Sequence, residues 1–277
     1  MKRHFWARTE RSRQVIVMLI GVAVLWEIVV RALAVREFIL PPPSTVLADF
    51  LSAPKYFFTE TFFTVLTTLS GFGMAVVLGV GFAIGIVYSR FLDRTLYTLL
   101  VALNAVPKVA LAPLFVIWLG TEAAPKIAIA MMIAIFPILV DTVHGLKSID
   151  PEMINMARAG HASKAKTLWK IRFPNALPSM FAGMKVGISL ALVGAIVGEF
   201  VAGSSGLGHV ILVAQGSFDT PRLFVALVLL GILGTLLFNL IDWLEGVVVP
   251  WHVSHRNVHA AEEPLRLPRR DAKVAST

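Results

Sequence analysis

Lys108 and Glu199 are charged side chains set inside long runs of apolar residues. A charge at that depth of a bilayer is costly and is met by a cavity or a counter-ion, so both are candidates for lining a solute pathway. For Lys108 a second reading is equally open, because its long stem would let the ammonium snorkel along a kinked helix to the interface. Asp141 and Lys185 lie nearer the edges of their runs, where interfacial placement is enough. The stretch GSSGLG (Gly203–Gly208) has the glycine content of loops that cradle phosphate. It follows an apolar helix rather than a strand, so a flexible turn outside the membrane is expected instead. His252, His255 and His259 would share one face of a helix and could hold a metal. Beside Trp251 they read rather as an interfacial tail, and no metal site is expected. The chain has no G-x-x-x-x-G-K-[ST], no H-E-x-x-H and no G-x-S-x-G, so no catalytic residue, bound nucleotide or cofactor is expected of it.

The elements that must position these residues are membrane helices. Of 277 residues, 57% are hydrophobic and only 15% are charged, against about a quarter charged in a soluble domain. There is no cysteine, which excludes disulfides and thiolate metal sites. Six runs are long enough to span a bilayer: Val15–Val30, Phe62–Tyr88, Thr95–Leu119, Ala123–Leu146, Leu177–Val201 and Leu223–Val249. An even number puts both termini on one side. Most of the 25 Lys and Arg fall on that side, in the N-terminus, in two connections (Arg90 and Arg94; Lys147 to Arg172) and in the tail. The positive-inside rule then makes both termini cytoplasmic and leaves no call for nucleic acid to explain the charge. The basic start, apolar run and Ala32–Ala34 also mimic a signal peptide, but the run is long and Glu27 and Arg31 intrude, so an uncleaved helix is expected.

Three finer expectations follow. The second span carries Gly71, Gly73, Gly79, Gly81 and Gly85, the last two forming a G-x-x-x-G, and these predict close helix packing there. Pro107, Pro113 and Pro137 predict kinks in spans three and four. Ile39–Leu51 reads as an extended Pro segment and then an outer-surface helix N-capped by Ser44.

Between spans four and five lies ARAGHASKAKTLWKIRFPNALP, residues 157–178. Leu168 and Ile171 fall on one helical face, with Ile154 and Ala157 able to extend it, and basic residues occupy the others. Pro174 is expected to stop a helix and Pro178 to open span five, giving two short helices at the cytoplasmic surface. Attraction to anionic lipid would explain the charge. It would not explain the small residues Ala157, Ala159, Gly160, Ala162 and Ser163, which suit close packing by another protein.

This stretch resembles the cytoplasmic signature loop of ATP-binding-cassette importer permeases, E-A-A, three residues, G, nine residues, then I-x-L-P. Anchored on Ile171, Phe173 and Pro174, the pattern places its E-A-A at Asn155, Met156 and Ala157 and its glycine at His161, with Gly160 one place earlier. LPPPSTV (Leu40–Val46), AVPKVALAPLFVIWLG (Ala105–Gly120), FPILVDTVHGL (Phe136–Leu146), VGEFVAGSSGLGHVI (Val197–Ile211) and PWH (Pro250–His252) follow in order. Together they are similar to the branch importing aliphatic sulfonates, taurine, nitrate and pyrimidine precursors. The resemblance implies an all-α polytopic protein of the cell (inner) membrane: a cytoplasmic N-terminus (1–14), a transmembrane domain (15–249) with a coupling loop at 147–176, and a cytoplasmic tail (250–277). It implies a non-enzymatic permease for a small solute, with anions among the candidates. Its partners would be two ATPase subunits docked on Ala157, Arg158, Ala159, Gly160, His161, Ala162, Ser163, Lys164, Ile171 and Pro174. A second permease chain making a homodimer, a solute-binding protein and membrane lipid would complete the assembly. The rival readings are an ion-coupled secondary transporter, which would be expected to show repeated halves and more intramembrane ionisable groups, and a scaffold without transport.

Overall fold

The computed structural model describes residues 2–89, 91–95 and 106–251, with side chains from residue 17 onward. The histidines at 252, 255 and 259, the rest of the tail, and positions 96–105 of the third apolar run lie outside the described residues. Among the described residues the regular structure is all helical. In chain order the helices are α1 (Lys2–Ala32), α2 (Pro43–Ser52), α3 (Pro54–Tyr88), α4 (Ala112–Leu119), α5 (Ala123–Lys147), α6 (Pro151–Ala159), α7 (Lys164–Ala202), α8 (Leu207–Gly216) and α9 (Thr220–Val248). Four of them, α3, α5, α7 and α9, are long and apolar enough to cross a membrane.

The centre of the fold is α5 against α7, with α3 alongside. A Cβ added at Gly187 would lie 2.8 Å from Ile138, one at Gly194 would lie 2.7 Å from the Ala130 Cα, and one at Gly198 would lie 2.7 Å from the Lys126 Cα. The two backbones therefore touch along several turns. In lipid, where apolar surface gains nothing from leaving the solvent, such close contact is what holds helices together. α3 joins the seam through Gly71, where a Cβ would meet the Ala130 Cβ at 2.5 Å. Of the glycines expected to pack closely, Gly71 and Gly79 meet α5, whereas among the described residues nothing lies within 4 Å of a Cβ at Gly81 and one at Gly85 meets Leu92 alone. The reason is phase: Gly71 and Gly79 face α5, and Gly81 is rotated off that face.

Three local expectations are corrected. The run Thr95–Leu119 is not one helix, because the backbone at Val106–Pro107 is irregular and a 3-10 turn, Lys108–Leu111, precedes α4. Pro107 has no N–H to donate and restricts the residue before it, so an α-helix breaks there. α2 is capped by Pro42 in extended conformation, not by Ser44. Ser44 instead donates its N–H and hydroxyl to the Glu27 carboxylate (3.0 and 2.8 Å), tying α2 to α1. Most consequentially, Pro174 does not stop a helix. A π turn over Leu168–Arg172, closed by Phe173 N–H to the Leu168 carbonyl, carries the chain into Phe173–Ala202. The wider turn accommodates a ring that a regular α turn would push into a carbonyl. The result is one helix of 39 residues, about 58 Å at 1.5 Å per residue.

Candidate functional site

The 157–164 segment is a tight reversal between α6 and α7. Asp150 opens α6 by accepting the Glu152 N–H at 2.9 Å, and Ser163 opens α7 by accepting that of Lys166 at 3.2 Å. α6 closes with Ala162 N–H on the Ala157 carbonyl (2.9 Å) and His161 N–H on that of Arg158 (3.0 Å). This paired closure needs a left-handed residue just after the helix. That residue is His161, with φ +51°, and it occupies the position where the importer pattern carries glycine. Gly160 has φ −80°, and a Cβ there would meet nothing nearer than 3.5 Å. The sequence signal that could have found this is the left-handed glycine preference at helix ends, applied to the pattern rather than to the nearest glycine. A side chain in this region costs about 1–2 kcal/mol, and glycine's extra freedom in the unfolded chain returns about 0.5–1 kcal/mol of that. His161→Gly is therefore expected to stabilise the turn by about 0.5–1 kcal/mol, read as a few-fold slowing of amide exchange at residues 160–163.

Ala157 and Leu168 are buried, Ala162, Ile171 and Pro174 are half-buried, and Arg158, Ala159, Gly160, His161, Ser163 and Lys164 are exposed. The first eight site residues (157–164) thus form one projecting turn, while Ile171 and Pro174 lie further along α7. Met156, 75% exposed, and Met153 flank the turn, with Arg158, Lys164, Lys166 and Lys170 around them. The base of the turn is fixed. Tyr88 on α3 donates its hydroxyl to the Lys164 carbonyl (3.1 Å), and Arg172 donates to the Leu146 carbonyl at the end of α5 (2.9 Å). The turn is an apolar knob with a basic rim, suited to entering a cleft.

At the opposite end of the same helices lies a polar knot. Glu199 is fully buried. Its carboxylate accepts the Thr64 hydroxyl and the Gly208 N–H, both at 2.8 Å. Thr64 in turn accepts the Leu207 N–H at 2.8 Å, and Glu60 accepts that of Gly206 at 2.6 Å. Three successive N–H groups at the start of α8 are thereby capped by side chains of α3 and α7. An anionic cap complements the positive end of a helix. Lys126, 2% exposed, donates to the Ser204 hydroxyl (3.2 Å) and to the carbonyl (3.0 Å) and hydroxyl (3.1 Å) of Ser205. The GSSGLG stretch is therefore not a flexible turn. It is a glycine-rich helix start whose N–H groups are held by the protein's own Glu60 and Glu199 side chains. Gly206 sits at φ +103°, and a Cβ there would fall 2.2 Å from the Glu199 carboxyl group.

The other ionisable candidates separate. Glu199, proposed for the pathway on sequence grounds, is enclosed between helices and does not face an open lumen of this chain. Lys108 lies at the middle of α5's length, its ammonium 5.3 Å from the centre of the Phe136 ring. Lys185 reaches both Asp242 and Glu245 on α9 at 2.5 Å, so its charge is neutralised across the α7–α9 contact. Among the described residues no group of three His, Asp or Glu is placed to hold a metal.

The family of binding-protein-dependent transport system inner membrane components matches residues 75–251. The chain belongs to this family. It is 37% identical to the riboflavin transport system permease protein RibX of Chloroflexus aurantiacus, over 86% of this chain and 90% of that protein. It is 31% identical to the formylaminopyrimidine transport permease protein ThiX of Halalkalibacterium halodurans, over 82% and 91%. Its fold is similar to a chain of the MetNI methionine ABC transporter in an inward-facing conformation, with TM-score 0.61 and 20% identity over 68% of this chain and 93% of that one. As a member, this permease is a multi-pass inner-membrane subunit of an ABC importer. ATP hydrolysis belongs to separate ATPase subunits, and solute reaches it from a binding protein.

Proposed function

We propose that this permease has six spans with both termini in the cytoplasm, and that two copies form the translocation pathway of the importer. The carrying observation is the turn at 157–164, an apolar knob with a basic rim built on the end of a 39-residue helix. At about 58 Å that helix exceeds the roughly 30 Å hydrocarbon core by nearly half its length. The excess carries the turn clear of the membrane on the positively charged side, where a cytoplasmic ATPase would receive it. ATP-driven closure of an ATPase pair would then displace the turn and, as a rigid-body step, the helices behind it. Copurification of the intact permease with its neighbouring ATPase tests the reading. Retention of the ATPase by the native chain is expected, and transport by the permease alone would overturn it.

The solute is inferred to be a small nitrogen heterocycle of the pyrimidine-precursor type, which the riboflavin and formylaminopyrimidine relatives support. Sulfonates and nitrate, named for other relatives, and taurine are the alternative solutes. A role for Lys108 in the pathway rests on its depth and on the aromatic ring beneath it. Lys108→Met is expected to lower uptake about tenfold, the effect of losing ~1.4 kcal/mol of attraction. Unchanged uptake would remove it from the pathway. The outward faces of α1 and α3, including Val17, Met18, Phe62 and Val77, are exposed and apolar and are assigned to lipid or to the second copy.

A further inference from the structure

We propose that Glu60, Thr64, Glu199 and Lys126 are positioning residues for transport. They lock one end of α3, α5, α7 and α8 into a single body, so that movement of the turn at the other end reaches the outer mouth without loss. The proposal rests on the importer reading above.

Three observations carry it. First, α3, α5 and α7 are tied at both ends and along the middle. At the turn end the ties are Tyr88 to the Lys164 carbonyl and Arg172 to the Leu146 carbonyl. In the middle they are the glycine contacts of Gly71, Gly187 and Gly194. At the far end the ties are the close approach of Gly198 to Lys126 and the polar knot. Second, the knot joins four helices through a segment that none of them could hold alone. Glu60 and Thr64 come from α3, Lys126 from α5, Glu199 from α7, and the three capped N–H groups from α8. Third, its groups are matched donor to acceptor. The Thr64 hydroxyl accepts from Leu207 and donates to Glu199, and both Glu199 oxygens are occupied. A buried network of this kind is rigid when complete and loses its geometry when one member is left unpaired. Helix packing alone would allow the outer ends to shear. Directional hydrogen bonds between fixed partners resist that movement.

The chemistry predicts how each member fails. In Thr64→Val the Leu207 N–H loses its acceptor and Glu199 loses a donor. In Glu199→Gln the amide can still face Thr64, whose hydroxyl can turn toward the Glu60 carbonyl 3.3 Å away, but the negative charge at the start of α8 is gone. In Glu60→Gln one carbonyl oxygen survives to accept from Gly206, so this half-buried rim position perturbs folding least.

The absence of cysteine makes a direct test clean. Spin labels would be placed in pairs at the exposed positions Thr59 on α3, Ala124 on α5 and Val213 on α8, in the full importer with its ATPase and binding protein in lipid. Distances 59–213 and 124–213 are expected to be the same in nucleotide-free and ATP-bound states of the otherwise native chain. In Thr64→Val, Glu199→Gln and Glu60→Gln, solute taken up per ATP hydrolysed is expected to fall, by about tenfold in Thr64→Val, while hydrolysis stimulated by the binding protein continues. If Thr64→Val does not assemble, Glu60→Gln and the label distances carry the test. Distances that change between states, or variants that keep the native ratio of uptake to hydrolysis, overturn the proposal. A native complex that neither hydrolyses ATP nor transports would instead overturn the importer reading itself.

Discussion

Gly160→Trp is expected to abolish coupled uptake while leaving the permease folded and inserted. The backbone at Gly160 has φ −80°, which any residue adopts, and a Cβ there would meet only ordinary contacts at 3.5 Å and beyond. The residue is exposed at the apex of the projecting turn. An indole can therefore be added without disturbing this chain, and any loss must arise in the partner's cleft. A misfit at the centre of an interface acts on the scale of about 2 kcal/mol or more, roughly a thirtyfold loss of docked complex when the ATPase is limiting. Uptake and ATP hydrolysis measured on the same proteoliposomes check the result. Ala162→Trp would give a less clear answer, since Ala162 is half-buried and its replacement also strains the turn. Native uptake in Gly160→Trp would remove the turn from the docking surface.

Gly194→Leu is expected to prevent assembly of the membrane domain. A Cβ at Gly194 would lie 2.7 Å from the Ala130 Cα and 3.1 Å from both the Ala130 N and the Ile129 carbonyl oxygen. All three are backbone atoms of a helix, so no side chain can move aside and α5 and α7 must separate. Overpacking that side chains can absorb costs about 1–3 kcal/mol, and forcing two backbones apart along a shared seam is expected at or above the top of that range. Thermal unfolding in detergent, or the recovery of monodisperse protein, measures it. Gly81→Leu is the matched control, because among the described residues nothing lies within 4 Å of a Cβ there. A folded but unassembled Gly81→Leu would place a second permease chain against that face.

Much was legible from composition and spacing. Runs of apolar residues are a one-dimensional property, and a bilayer converts their length directly into helices. α5 and α9 therefore match their apolar runs closely at both ends, while α3 and α7 match at their C-terminal ends and begin well before their runs, and the projecting turn falls where basic and small residues interrupt those runs. Ends and breaks were less legible. Whether Pro174 ends a helix depends on whether a π turn can form before it, and that depends on Arg172 and Tyr88 finding acceptors on other helices. Which of the glycines of α3 pack against α5 is illegible for a related reason. A G-x-x-x-G records spacing along one helix, and only the neighbouring helix decides which face is used.

Lys126, Glu199 and GSSGLG make the limit plain. Read separately along the chain, Glu199 is a pathway candidate and GSSGLG a flexible turn, and nothing marks Lys126 as their partner. In the fold they are one network joining residues up to 146 positions apart. Composition and spacing along the chain are enough to mark a helical membrane protein with a basic interruption, and the motifs in order point to the importer family. Those features depend on local composition and on how a bilayer treats charge. Only the tertiary structure decided that the left-handed turn falls on His161, that α7 runs unbroken from that turn to the knot, and that the start of α8 is capped by carboxylates from other helices. Each of these depends on donors and acceptors brought together from distant parts of the chain, and no pattern along the chain encodes which of them will meet.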